Sequence, residues 1–328
     1  MTAGLASNFK IYQEYFNTRV NEILAQNSDA FNAASQNCIR LTSVSRRGDY
    51  EYQSFFQAIS GLATRRDTTS IGSAGDLPMT QEELVSVKLN RKIGPVAQTR
   101  DAFRKMMTRF DSTEFTGIIA EQAAKAMQVE MLDTALLAAT RALKQQSASY
   151  LTESSLGSIS TQTLISALAK MGDRADRVKL WVMHSKVYYN LVGNQVSANI
   201  DGVSNFNVAS GTPVTMGRPV LITDSASLKT QLNSPDIDNY FTLALVEDAI
   251  VAEDTEQSDV VVDDVTGLEN LVVRYQGEYA YNLGLKGFKY DVGNGGANPN
   301  STAVGLGTNW DTAFGDVKDR AGVVAMTL

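Results

Sequence analysis

Histidine and cysteine are almost missing from this chain of 328 residues: His184 and Cys38 are the only ones. A single cysteine cannot close an intramolecular disulfide, and it fits a reducing compartment. One histidine and one cysteine cannot supply a Cys/His set for structural zinc within a chain. A nucleophile–histidine pair would have to use His184, and no nucleophile signature surrounds it. The sequence holds no GxxxxGKS or GxxxxGKT. Its glycine clusters, Gly293-Asn294-Gly295-Gly296 and Gly305-Leu306-Gly307, do not continue as GxGxxG, so phosphate-cradle chemistry has no support. No run of about 18 apolar residues exists, which excludes a membrane-spanning helix. The opening MTAGLASNFKIYQEYF has no basic segment followed by an apolar stretch, so no secretory signal is read. Every absence points away from catalysis.

What is present is an ordinary soluble composition with uneven charge. Hydrophobic residues make up 43%, charged residues 20%, and the net charge is −7. The length suits two domains or one elongated, multi-lobed subunit. Residues 1–150 carry 17 basic and 15 acidic side chains; residues 151–328 carry 12 and 21. Residues 40–109 hold 12 basic and 7 acidic side chains, whereas 247–269 hold nine acids and no Lys or Arg. Charge runs are commonly solvated faces. The sharper reading is that the basic region of one copy docks on the acidic region of another.

Along the chain, Phe9, Tyr12, Phe16, Val20, Ile23 and Leu24 give residues 8–37 a helical spacing, read as a short arm. With only Lys10 and Arg19 as cations, it is not an arginine-rich nucleic-acid tail. Residues 41–100 read as a two-stranded excursion. Tyr50 and Tyr52 alternate with Glu51 and Gln53, and Val85, Val87 and Leu89 alternate with Ser86, Lys88 and Asn90. Between them Thr68–Pro78 is a turn-forming tip. A two-stranded ribbon is marginal alone, so this one needs another surface to lie on. Residues 112–147 form the strongest element. Asp111 and Glu114 resemble a capping box, and no Gly or Pro follows Gly117 until Gly157. A helix there spans about 50 Å. From Ser160 helices and strands alternate: a helix through Leu164, Leu168 and Met171; strands at 178–183 and 219–223; a short helix from Ser185; and strands at 241–246, 260–262, 271–275 and 279–285. The class is α+β.

In this order the segments resemble the major capsid proteins of tailed bacteriophages, the HK97-like fold. Residues 41–100 match its extended loop and 112–147 its spine helix. Trp181–Leu191 is similar to its strand-then-helix segment, Gly217–Asp224 to its glycine, proline and apolar-strand segment, and Asp319–Ala325 to its tail. The resemblance implies an N-terminal arm (1–40), an extended loop (41–100), a peripheral domain with the spine helix (101–158 and 235–290) and an axial domain (159–234 and 291–328). It implies a coat protein, not an enzyme, that assembles as hexamers and pentamers into an icosahedral head in the host cytoplasm. The partners expected are packaged double-stranded DNA, contacted non-specifically, a portal and decoration proteins. Only about 40 residues precede the loop, so a separate scaffolding protein, or none, is expected. An encapsulin-type shell subunit is the alternative, and a hydrolase built on the 247–269 carboxylates is a distant third.

No cofactor is expected and no catalytic residue is assigned. His184 and Cys38 read as packed structural residues. The acids of 247–269 lack the spacing and glycine of a calcium loop. Some capsid families weld subunits by a Lys–Asn isopeptide bond. Lys88 and Lys92 lie in the loop and are read here as ordinary solvated or salt-bridging residues. The expected contact between copies sets Arg46, Arg47, Arg65, Arg66, Lys88, Arg91 and Lys92 against Glu253, Asp254, Glu256, Asp259, Asp263 and Asp264.

Overall fold

A computed structural model describes residues 5–43, 48–57, 59, 61–66, 68–73, 75–99, 112–152, 157–201, 215–230 and 238–328. The Asp111 cap, Arg46 and Arg47 lie outside the described residues, as do the side chains of Glu114, Glu256 and Asp264. Two helices dominate: α1 (Leu5–Ala34) and α2 (Ser112–Gln145). Around them lie two sheets. The first is built from β1 (Ile39–Ser43), β2 (Tyr50–Phe56), β3 (Gln81–Thr99), β9 (Ile250–Val265) and β10 (Val272–Leu285), in the order β1-β9-β10-β3-β2. The second orders β4 (Tyr150–Thr152), β13 (Gly322–Thr327), β8 (Asn239–Val246), β5 (Val178–His184) and β6 (Val220–Thr223), with the short β7 (Lys229–Thr230) also on β8. Smaller elements complete the chain: α3 (Thr161–Ala169), α4 (Ser185–Asp201), β11 (Phe288–Tyr290), α5 (Val292–Gly295), α6 (Ser301–Val304) and β12 (Trp310–Thr312).

Local chemistry explains the elements. All eight residues of β8 and all six of β13 are buried, so these central strands are near-continuous apolar runs. In β3 only every second residue, Val85, Val87 and Leu89, is buried, which is the period of a half-covered strand. The helix expected from Ser160 forms as α3: Ser160 Oγ accepts from the Thr163 N–H, and Thr163 Oγ1 accepts from the Ser160 N–H. Along α2, Ala120, Ala124, Met127, Met131, Ala135, Leu136, Ala138, Ala139, Ala142 and Leu143 are buried, so small side chains let the helix pack closely. It touches both sheets, through β9 and β10 on one side and β4 and β13 on the other.

The helical arm read over 8–37 forms as α1, which packs on α2 and β9 and buries Phe16 and Val20. The strand read at 260–262 is much longer: residues 250–265 are one strand, antiparallel to β10 and parallel to β1. Within segment 235–290, β8 lies in the second sheet, whereas β9 and β10 lie in the first.

The excursion at 41–100 finds its supporting surface within its own chain. From Val87 to Thr99, β3 pairs with β10, whereas from Gln81 to Val87 it pairs with β2. Beyond Val87 the β2–β3 pair therefore leaves the sheet as a ribbon. It is braced by the segment after β10. Phe55 packs on Phe314 with ring centroids 4.8 Å apart, and Tyr50 stacks on Tyr290 at 6.5 Å. Lys289 Nζ lies 3.3 Å from Glu82, and Gln57 Nε2 donates to the Ala313 carbonyl at 3.5 Å. What lies past these braces is the tip, whose described residues from 61 to 66 are all exposed.

Candidate assembly surface

The cations expected to meet another copy divide into two groups. Arg65 and Arg66 are exposed on the tip. Lys88, Arg91 and Lys92 lie on the part of β3 that pairs with β10. Arg91 is committed inside its own chain. Its Nε donates to Glu130 Oε1 at 2.6 Å, and its guanidinium lies 5.9 Å from the centre of the Tyr281 ring. Glu130, on α2, also accepts from Tyr281 and Thr134 on Oε1, at 3.2 and 3.0 Å, and from Tyr279 on Oε2, at 3.0 Å. Burial, then the Glu130 charge, pushes both tyrosine hydroxyls above their ordinary range, so they remain donors. One carboxylate thus ties the long helix to β3 and β10. The sequence pattern alone does not single out Glu130. The signal it lacked was the pairing of β3 with β10, which brings Arg91 opposite Tyr279.

The acids lie one strand away from these cations. In register across the sheet, Lys88 faces Asn282, which faces Glu253; Lys92 faces Glu278, which faces Asp259. Directly opposed residues share a sheet face, and two strand spacings make about 10 Å. Basic and acidic stretches far apart in sequence are therefore brought close within one chain. Glu253 is buried, Asp254 is half-buried, and Asp259 and Asp263 are exposed. Asp263 stands opposite Arg274, and Asp259 Oδ1 accepts from Asn17 of α1 at 3.5 Å. Beside β2, Tyr50, Glu51, Lys88, Thr255 and Asn282 line a cavity of about 440 Å³. There Asn282 Nδ2 donates to Glu51 at 3.1 Å and to Ser86 at 2.7 Å.

The residues read as structural have structural surroundings. Cys38 is fully buried, and burial, with Glu247 nearby, pushes its thiol up to about 12. It is a neutral thiol at neutral pH. His184 Nδ1 accepts from the Lys186 N–H at 3.2 Å, and its ring packs 4.8 Å from that of Tyr240. Among the described residues no group of three or more His, Cys, Asp or Glu side chains is placed to hold a metal ion. No helix among them is long and apolar enough to cross a membrane.

A long helix carried between two sheets, with a braced ribbon projecting from one, is the architecture of HK97-like shell proteins. The same fold is found in the capsid asymmetric unit of cyanophage Pam1, with a TM-score of 0.54, 10% identity and 88% of each chain covered. The acid-stable capsid of Helicobacter pylori bacteriophage KHP30 gives a TM-score of 0.52 at 10% identity, covering 89% of this chain and 88% of that one. Mycobacterium phage Bobi gives 0.51 at 11% identity, covering 90% and 89%. A comparison with curated proteins finds no match. The sequence itself matches a family: major capsid protein 13-like covers residues 8–324, and this chain belongs to that family of major capsid proteins.

Proposed function

We propose that many copies of this chain, as hexamers and pentamers, close into an icosahedral head around double-stranded DNA. The observation that carries this reading is the tip. Leu62, Ile71, Leu77 and Met79 are between 51% and 104% exposed there, next to Phe56 at 61%. So much apolar surface on a thin ribbon suits a site covered by another copy. In this reading the first sheet with α2 forms the peripheral lobe and the second sheet the axial lobe, with the boundary between β8 and β9. Arg65 and Arg66 reach acids of a neighbouring copy, with Asp259 and Asp263 the exposed candidates. Arg46, Arg47, Lys88, Lys92, Glu253, Asp254, Glu256 and Asp264 belong to the same charged region.

The subunit works by self-association rather than by catalysis. Its net charge of −7 argues that the coat does not itself condense DNA, so the genome enters through a portal driven from outside the shell. Scaffolding and decoration proteins are the further partners, and assembly takes place in the host cytoplasm. The family match favours a phage head over an encapsulin-type compartment. Electron microscopy of the overexpressed, purified protein tests the proposal. Shells, tubes or sheets are expected; only small, uniform oligomers would overturn it. Nuclease-protected DNA inside native particles separates a genome container from a protein compartment.

A further inference from the structure

The C-terminal end of α2 holds two cations that nothing among the described residues neutralises. The guanidinium carbon of Arg141 and the ammonium nitrogen of Lys144 each lie 5.3 Å from the ring centre of Phe241. Phe241 is fully buried in β8. Residues three apart are neighbours on a helix surface, so the two positive heads share one aromatic ring. Both side chains are half-buried. Among the described residues neither makes a hydrogen bond or an ion pair. Burial disfavours the charged form of each, and at Lys144 the Arg141 charge adds to the effect. The helix dipole favours positive charge at this end. It does not explain why two cations are partly dehydrated side by side, in an acidic protein, without an acceptor among the described residues. Thr140, one turn before Lys144, is fully buried, and its hydroxyl has no partner among the described residues. The backbone here is held in place: a side chain at Gly307 would meet the Arg141 carbonyl at 2.6 Å, so a 3-10 turn presses directly on the helix end.

We propose that Arg141 and Lys144, seated on Phe241, form a binding site for a phosphate group. A guanidinium offers paired donors in a plane, and an ammonium offers a compact charge. A phosphate offers several acceptor oxygens in a tetrahedron and can take donors from both at once. Free phosphate, with a charge approaching −2, would neutralise the pair, and a backbone phosphodiester, at −1, would neutralise one of the two. The group can come from a nucleic-acid backbone or from free phosphate. The first source rests on the genome-enclosing role proposed above; the site itself does not.

Full-length subunits are tested by thermal unfolding in potassium phosphate against potassium chloride of equal ionic strength. The wild type should gain stability in phosphate, and the Arg141→Gln/Lys144→Gln variant should not. A second measurement needs no variant: phosphate should slow amine acylation of Lys144 in the wild type but not that of exposed Lys179, read by peptide mass spectrometry. Equal phosphate stabilisation of variant and wild type, or unchanged acylation of Lys144, overturns the site. A short labelled DNA duplex then identifies the source. If the backbone is the ligand, removing both cations lowers the slope of log K against log salt by about 1.8. An unchanged slope with the phosphate effects intact assigns the site to free phosphate. Wild-type subunits that bind phosphate but not duplex count against the genome contact, not against the site.

Discussion

Glu130 gathers four donors, from Arg91, Thr134, Tyr279 and Tyr281, on a carboxylate that is only partly exposed. Removing it leaves the Arg91 guanidinium, 17% exposed, without its charge partner. Glu130→Ala should therefore cost about 1–3 kcal/mol in urea unfolding. Tyr281→Phe, which removes one hydrogen bond, should cost about 0.5–1.5 kcal/mol. In a double-mutant cycle Glu130→Ala and Arg91→Ala should couple, because each removes the same contact. Cys38 sets a different residue-scale test. Its folded thiol is raised from 9.0 to about 12 by burial first. Above pH 9 the unfolded thiol loses its proton while the folded one keeps it. The unfolded state then binds fewer protons, so this term is fully present below pH 9 and is lost as pH rises toward 12, at about 1.4 kcal/mol per pH unit. Between pH 9 and pH 11 the wild type should lose more stability than Cys38→Ala, as measured by urea unfolding at each pH.

Elements show how far a sequence can be read and where reading stops. Helix α2 was legible because a long stretch without Gly or Pro combines with closely spaced small and apolar residues. In the second sheet β5, β6 and β8 were legible because they are short apolar runs, whereas β4, β7 and β13 were not read as strands. The acidic part of strand β9 was not legible: Glu253, Asp254, Glu256 and Asp259 break the apolar pattern, and only pairing on both sides, to β1 and β10, makes it a strand. Long-range pairing also explains why the ribbon's braces and the Glu130 cluster stayed hidden. The partners of β3 lie in β10, and Phe314 is remote in sequence from Phe55. Two tests follow at this scale. Ala126→Pro, on an exposed position inside α2, removes a helix hydrogen bond and inserts a clash. It should cost about 3 kcal/mol or more and abolish particles in electron micrographs. Hydrogen exchange of free subunits should show strong protection from Val87 to Ile93, where β3 is paired to β10, and little in the tip from Gly61 to Thr80. Protection of the tip should rise only on assembly. Equal tip protection in subunit and shell would count against a covered tip.

At the scale of the whole molecule, charge asymmetry has two places to be resolved, inside a copy and between copies. Part of it is resolved inside: Arg91 is held by Glu130, and Lys88 and Lys92 share a sheet with the β9 acids. Among the described residues of that set, Arg65 and Arg66 are left to reach outward, exposed on the tip. In a closed assembly of identical copies each subunit supplies both halves of such a contact, so one pairing repeats around every ring. An exposed pair is worth only about 0–1 kcal/mol, too little to hold two subunits together. Its value lies in repetition and in rejecting wrong registers, because like charges meet when a copy docks out of place. The exposed apolar side chains of the tip would supply the adhesion, and the arginines the choice of position. Arg65→Glu and Arg66→Glu together should therefore leave the subunit's unfolding curve unchanged while reducing or misdirecting assembly, seen as aberrant or absent particles. Raising salt should loosen partly assembled rings of the wild type, since surface charges are screened beyond about 8 Å at physiological ionic strength. The competing account is that these arginines face packaged DNA. It predicts normal empty shells from the reversed variant and a defect only in filling, so particle counts before genome entry separate the two.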